Sequence, residues 1–388
     1  MTLYRAARLV YVVTHSKSAD VLLRGQLAFM REEGFDVTVI ASPGPALDAV
    51  AARERVRVVP VPMERPIRPA RDGASLVRLT RALRALSPDI VNASTPKAGL
   101  LGMLAARALR VPLRIYLLRG LRLETTTGAL RAILGATERI ASACAHDVVC
   151  NSESLLEAVV AGGYVPRDKV RIVGRGSSNG VEPARWARTP ERIAEGRARL
   201  AAHGIEDGHE VIGFVGRFDP DKGIGDLLDA FARVHTMRPR ARLVLVGAGA
   251  VGDLDATLAR RAASAPGVVS LGQTWELAPI YARMDVLAFP SYREGFPNVP
   301  LEAACAGVPT VGYRATGVVD AVEDGRTGAL VEVRDARGLG DALLRYLDDP
   351  ALRAAHGEAA RRRAVEGFAR EAVWAAWAAY YRARLDAR

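Results

Sequence analysis

Short runs rich in Val, Ile and Leu recur along the whole of this 388-residue chain, and segments of helical pattern lie between most of them. In the first half the runs are "ARLVYVV", "DVTVIA", "VRVVPV", "DIVNAS", "LRIYLL", "DVVCNS" and "VRIVG". Helices are predicted over Ala19–Glu33, Gly73–Leu86 and Ala98–Leu109 among others. Strands that are apolar throughout are buried on both faces, and helices between them allow parallel pairing. The series then restarts as "EVIGFVG", "RLVLVG", "VVSLG", "DVLAFPS", "TVGY" and "GALVEV", with helices from Gly223 onward. The expected fold is therefore α/β, with two Rossmann-like, doubly wound domains in tandem facing a cleft.

Between the series, "GRGSSNGVEPARWARTP" is rich in Gly, Ser and Pro and reads as a hinge near Asn179–Pro183. Domains are expected at 1–180 and 181–366. The tail from about Arg361 is helical, and Val373, Trp374, Trp377, Tyr380 and Tyr381 form an aromatic stripe suited to docking on a core.

No apolar run approaches the ~20 residues of a membrane span. The N-terminal "MTLYRAARLVYVVTHS" places basic residues before an apolar stretch, but "LVYVV" is shorter than the roughly 7–15 residues of a signal core. It reads as a first buried strand. Cys144, Cys150 and Cys305 fit no metal or redox spacing, which favours a reducing, cytoplasmic setting. The net charge of +11 suggests acidic partners such as nucleotides, nucleic acid or an anionic membrane face, although Arg is frequent along the whole chain. Nucleic acid is disfavoured, since no zinc finger and no basic stripe interleaved with aromatics is present.

Tandem doubly wound domains bind ligands at the carboxyl ends of their strands. Three stretches stand there. In "GFVGRFDPDKGI", Arg217 and Lys222 flank an acidic turn and Gly223 opens a helix. Cations beside a helix N-terminus make an anion site; alternatively each pairs with Asp219 or Asp221. "RLVLVGAGAVGDL" carries Gly247, Gly249 and Gly252 in a G-x-G-x-x-G, which supports an NAD-dependent dehydrogenase as a rival reading. The acid expected about 20 residues later is replaced by Gln273. A tight turn also explains those glycines.

The third stretch is "SYREGFPNVPLEAACAG". Gly295 and Pro297 let bare backbone approach a ligand along a fixed path. Glu294 is then held at the cleft edge, in the loop after the strand "DVLAFPS", and Glu302 lies one turn into a helix that has Pro300 in its first turn. A carboxylate is a bidentate acceptor for vicinal hydroxyls, of a sugar ring or a ribose. With the diphosphate on the helix N-terminus near Arg217 and Lys222, these residues describe recognition of a nucleotide-sugar.

In these residues the chain resembles the GT4 retaining glycosyltransferases of GT-B fold. Nearly the whole length takes part, including "SSNGVE" and the aromatic C-terminal helix, about 367–388, which in such folds packs back on the first domain. "STPKAGLLGMLAARALRVP" and "LRGLRLETTTG" are similar to transferases that build cell-envelope polysaccharides on polyprenyl-diphosphate carriers. The resemblance implies a nucleoside-diphosphate sugar, UDP-linked, as donor. The acceptor would be a lipid-linked glycan, with a soluble natural-product acceptor as the alternative. Arg217, Lys222 and Glu294 would be catalytic, with the two cations stabilising the diphosphate. Glu294 would bind sugar hydroxyls beside backbone N–H groups around Phe296 and Asn298, and Glu302 would hold the ribose. Ser16, Lys17, Gly216, Gly247, Gln273, Gly295, Pro297 and Val299 complete the implied donor contacts. No metal and no cofactor is expected.

Many members of that family carry a histidine facing the sugar from the N-terminal domain. Here that domain holds His15 and His146, with Asn92, Ser94 and Arg119 where related sequences often carry histidines. His15, Lys97, Arg119 and Glu124 are the acceptor-side candidates, Arg119 being equally suited to an ion pair with Glu124. Arg65, Arg68 and Arg71, followed by Arg78, Arg81 and Arg84, form a basic region that could meet an anionic membrane surface or simply face solvent.

Overall fold

The computed structural model describes residues 5–247 and 256–387. Gly249 and Gly252 of the glycine-rich stretch lie outside the described residues. The chain divides into two compact units, one formed by Met1–Asn179 with Arg370–Arg388 and the other by Gly180–Ala369.

Unit 1 holds β1 (Arg8–Val12), β2 (Asp36–Ala41), β3 (Arg57–Pro60), β4 (Ile90–Ser94), β5 (Leu113–Leu118), β6 (Asp147–Cys150) and β7 (Val170–Arg171). They form one sheet in the order β3-β2-β1-β4-β5-β6-β7. Every pairing is parallel. The pleat of β1 sends Leu9, Tyr11 and Val13 to one core and Val10 and Val12 to another, so both faces are covered. On the first face lie the helices Ser16–Leu22, Gln26–Glu32, Pro45–Glu54 and Arg370–Asp386; on the second lie Pro69–Leu86, Pro96–Ala108, Gly128–Cys144 and Glu153–Ala161.

Unit 2 holds β8 (Glu210–Val215), β9 (Ala241–Val246), β10 (Val268–Gly272), β11 (Val286–Phe289), β12 (Thr310–Tyr313) and β13 (Gly328–Val331). Their order is β10-β9-β8-β11-β12-β13, again all parallel. In each sheet the order reverses direction once, between β1 and β4 and between β8 and β11. Loops that leave neighbouring strands in opposite directions open a crevice there.

The helix expected over Ala19–Glu33 is two helices, Ser16–Leu22 and Gln26–Glu32. Gly25, at φ 78°, turns the chain between them, and Trp374 stands where its Cβ would be. The buried Glu54 carboxylate accepts from the N–H groups of Gly25 (3.0 Å) and Ala28 (3.2 Å) at the start of the second helix. An anion at a helix N-terminus satisfies orphan donors and the dipole together.

The tail helix Arg370–Asp386 buries Val373, Trp374, Trp377 and Tyr381 in the first-face core of unit 1. Its polar ties are specific. Trp374 Nε1 donates to Asn179 Oδ1 (2.7 Å), Asn92 Nδ2 donates to Tyr381 Oη (2.7 Å), and Arg384 forks onto Asp147 with two 2.7 Å bonds. No described helix is long and apolar enough to cross a membrane.

Candidate functional site

At the crevice of unit 2, Gly216 and Arg217 follow β8, and Pro290 and Ser291 follow β11. Lys222, in the short 3₁₀ turn Pro220–Lys222, reaches the loop after β11 and pairs with Glu294 Oε1. Ser291 Oγ donates to the same oxygen at 2.7 Å. Both members of the pair are mostly shielded, with side-chain exposures of 17% and 16%. The Lys222 ammonium lies 6.0 Å from the centre of the Phe289 ring.

The loop carrying Glu294 is fixed from several sides. Its own N–H donates to Thr316 O (2.9 Å), and Tyr292 N donates to Asp221 O (2.9 Å). Arg293 pairs with Asp221. Tyr292 and Tyr313 stack with ring centres 6.0 Å apart, and both hydroxyls donate to Asp226 Oδ2, at 3.0 and 2.8 Å. Burial, reinforced by Asp226, pushes the Tyr292 phenol up to about 12, so it remains a donor at neutral pH. Two glycines are required by close approach: a Cβ on Gly223 (φ 66°) would lie 2.1 Å from Pro290 O, and one on Gly317 (φ 76°) 2.8 Å from Glu294 O.

The other candidates fall into distinct environments. The Arg217 side chain is 67% exposed and pairs with Asp219 at 3.3 Å. Glu302, partly exposed on the helix Asn298–Cys305, accepts from Tyr281 Oη at 2.9 Å, and burial raises its carboxyl above the ordinary range. Phe296 packs on Phe368 with ring centres 5.0 Å apart. Asn298 Oδ1 is shielded and has no hydrogen-bond partner among the described residues. Gly295 and Pro297 are buried, and Val299 is half-buried. Gly216, Gly247 and Gly272 lace the ends of β8, β9 and β10 together, with Gly216 N on Val246 O (3.0 Å) and Gly247 N on Gly272 O (2.9 Å). Gln273 follows β10 and is exposed.

In unit 1 the crevice lies between the ends of β1 and β4. Thr14 and Thr95 hydroxyls are 2.7 Å apart, and Ala98 N donates to Thr14 Oγ1 (3.2 Å). Thr95 has φ 73°, a conformation rare for a β-branched residue and one of the places where strain collects at functional crevices. His15 caps the helix Ser16–Leu22; Ser16 is buried and Lys17 exposed. Lys97 is engaged with Asp72 and the Pro66 carbonyl, which ties two helices together. Arg119 Nη1 donates to Ser178 O (3.0 Å) and Oγ (2.7 Å), and burial pushes its guanidinium down to about 10. Glu124 lies in the 3₁₀ turn Arg122–Thr125. His146 Nδ1 accepts from Arg114 N (3.2 Å), and Asn92 holds the tail helix, so both serve packing.

The structure thus brings Lys222 and Glu294 together and adds Ser291 and Arg293 in unit 2 and, separately, Thr95 in unit 1, none of which the sequence reading singled out. Ser291 and Arg293 lie inside the quoted stretch, but nothing local indicates their partners.

Residues 20–176 match the family described as "Glycosyl transferase 4-like domain", and residues 209–349 match "Glycosyl transferases group 1". The chain is 33% identical over 368 residues to the capsular polysaccharide biosynthesis glycosyltransferase CapM of Staphylococcus aureus, covering 95% of this chain and 94% of that protein. It is 27% identical over 338 residues to the UDP-Gal:alpha-D-GlcNAc-diphosphoundecaprenol alpha-1,3-galactosyltransferase of Escherichia coli, covering 84% of each. Among solved structures, Anabaena Alr3699/HepE in complex with UDP-glucose superposes with a TM-score of 0.79 at 21% identity, over 97% of this chain and 99% of that one. Two parallel Rossmann-like sheets, a cation–carboxylate pair where β8 and β11 diverge and a full-length relative agree, and the chain belongs to the group 1, GT4-like glycosyltransferases of GT-B fold.

Proposed function

We propose that the enzyme moves a hexose or N-acetylhexosamine from a UDP-sugar, with retention, to a lipid-linked glycan of envelope polysaccharide assembly, at the cytoplasmic face of the membrane. The observation that carries the donor assignment is the shielded Lys222–Glu294 pair where β8 and β11 diverge. A carboxylate has lone pairs enough to keep Lys222 and Ser291 and still accept sugar hydroxyls. Lys222, with Arg217 released from Asp219, would face the diphosphate as charge builds on it. Asn298 Oδ1, shielded and without a hydrogen-bond partner among the described residues, offers an acceptor at the start of the helix Asn298–Cys305. Glu302 is assigned to the ribose.

In the transfer, the bond from the sugar's anomeric carbon to the phosphate oxygen breaks. The acceptor oxygen bonds to that carbon from the same face, and its proton passes to the leaving phosphate oxygen. Fixed cations take the place of a metal. Unit 1 is assigned the acceptor, with His15, Arg119 and Glu124 as its candidates. The name of the Escherichia coli relative, with its diphosphoundecaprenol-linked acceptor, favours a lipid-linked acceptor over a soluble one.

A melting-temperature screen tests the donor. UDP-sugars should raise it above GDP- and dTDP-sugars, and NAD(H) should leave it unchanged. Glu294→Gln and Lys222→Ala should each lower turnover by at least about a hundredfold while melting near the wild type. The product should keep the donor's anomeric configuration, and EDTA should leave the rate intact. Wild-type rates in both variants would remove the assignment, and an inverted product would remove retention.

A further inference from the structure

A carboxylate that the transfer itself does not use ties the loop carrying Glu294 to the element carrying Lys222. Asp226 lies in the first turn of the helix Ile224–Met237, which begins directly after Lys222 and Gly223. Among the described residues it pairs with no cation. Its Oδ2 instead accepts from two neutral donors, the Tyr292 hydroxyl at 3.0 Å and the Tyr313 hydroxyl at 2.8 Å. The first-turn position favours the negative charge through the helix dipole, and an ionised acceptor strengthens both bonds. Burial, reinforced by Asp226, raises both phenols, so each stays a donor at neutral pH.

The two phenols differ in what they anchor. Tyr313 ends β12 and is fully buried, so the core fixes its ring. Tyr292 is half-buried in the loop after β11, two residues ahead of Glu294, and lies nearly parallel to Tyr313. The Arg334 guanidinium lies over the Tyr292 ring, 5.1 Å from its centre. The main chain is held as well, since Tyr292 N donates to Asp221 O and Arg293 pairs with the Asp221 carboxylate. Asp221 therefore grips the backbone at Tyr292, and Asp226 grips the far end of its side chain. The Lys222–Glu294 pair cannot do this by itself, because lysine reaches its partner on a flexible four-carbon stem that tolerates a range of loop positions. A short carboxylate and a rigid phenol tolerate far fewer.

We propose that Asp226 is a positioning residue for the transfer: by gripping Tyr292 beside the core-fixed Tyr313, it holds Glu294 where the donor sugar is met. Because Asp226 acts through Tyr292 on Glu294, this role rests on the donor assignment made above.

Two probes test the role in the full chain. One is UDP, which lacks the sugar. The other is whichever of UDP-glucose, UDP-galactose and UDP-N-acetylglucosamine raises the melting temperature most. Turnover is read as UDP released when that sugar, at saturation, is transferred to water. Asp226→Leu removes the acceptor at similar size. It should bind UDP within about threefold of the wild type yet release UDP from the sugar at least about tenfold more slowly, since small misplacements act steeply on rate. Asp226→Asn, whose amide oxygen still accepts a hydroxyl, should recover most of that loss. Tyr292→Phe, a milder change that keeps the ring stack, should slow turnover as Asp226→Leu does. The double variant Asp226→Leu, Tyr292→Phe should be no slower than the slower single, because both remove one contact. Wild-type turnover in Asp226→Leu and in Tyr292→Phe overturns the positioning role and leaves the donor assignment standing. UDP binding lost in step with turnover does the same, since it would mark a general loss of structure. A wild-type chain that binds neither UDP nor any of the three sugars overturns both.

Discussion

Gly317 shows how much one hydrogen atom in place of a methyl can matter. With φ 76°, and a would-be Cβ 2.8 Å from the carbonyls of Glu294 and Gly295, it lets one loop lie directly on another. Gly317→Ala should therefore displace Glu294. The expected outcome is a loss of about 1–3 kcal/mol from backbone strain and a fall in turnover of at least about tenfold, since small misplacements act steeply on rate. Steady-state kinetics beside urea melts would check it; turnover unchanged under a normal strain cost would detach Gly317 from the site.

Glu138 makes a separate prediction about pH. Burial raises its carboxyl to about 7, so the folded state holds that proton more tightly than the unfolded chain does. The stabilisation is full below the ordinary carboxylate range and is lost as pH rises through about 7. Glu138→Gln keeps an acceptor for Tyr116 and never ionises. Relative to the wild type it should be neutral near pH 4 and more stable by about 3 kcal/mol at pH 8. Melting curves of both proteins across that range give the difference directly, and a flat difference would contradict the burial argument.

At the scale of elements, every run read as a strand from the sequence forms one, because a buried parallel strand needs only local apolar residues and a β-branched backbone preference. Lys222 and Glu294 were legible for a related reason: each follows a strand, and the strand order puts those strands side by side. What escaped reading depends on distant partners. The break at Gly25 is held by Glu54 and by Trp374 of the tail helix, and no window around Gly25 contains either. The Arg293–Asp221 pair is equally long-range. Asp147 belongs to this class too: its side chain is 1% exposed and relies on Arg384. Arg384→Gln should cost about 2 kcal/mol, the worth of charge-assisted bonds to a buried carboxylate. Urea unfolding would read the loss, and a neutral result would mean that Asp147 finds another donor.

For the whole molecule, unit 2 is a single stretch of chain, whereas unit 1 is assembled from two. A chain ending at Ala369 should keep the first-unit sheet but lose Val373, Trp374, Trp377 and Tyr381 from its core. Calorimetry should then show the transition of unit 1 lowered or absent and that of unit 2 retained, together with protection by UDP if the donor assignment holds. Retention of both transitions would show that the tail helix is dispensable.

The same discontinuity orders events during synthesis. The first 179 residues leave the ribosome before the helix that completes their core exists, and 190 residues of unit 2 are translated in between. At bacterial or eukaryotic elongation rates that interval is roughly 10–40 s. Throughout it, the groove around Leu27, Met30 and Phe35 that later receives Trp374 and Tyr381 faces water on a nascent chain. Unit 2 can therefore finish folding before unit 1, against the N-to-C direction of synthesis, and holdase chaperones have a defined apolar groove and a defined time window in which to bind.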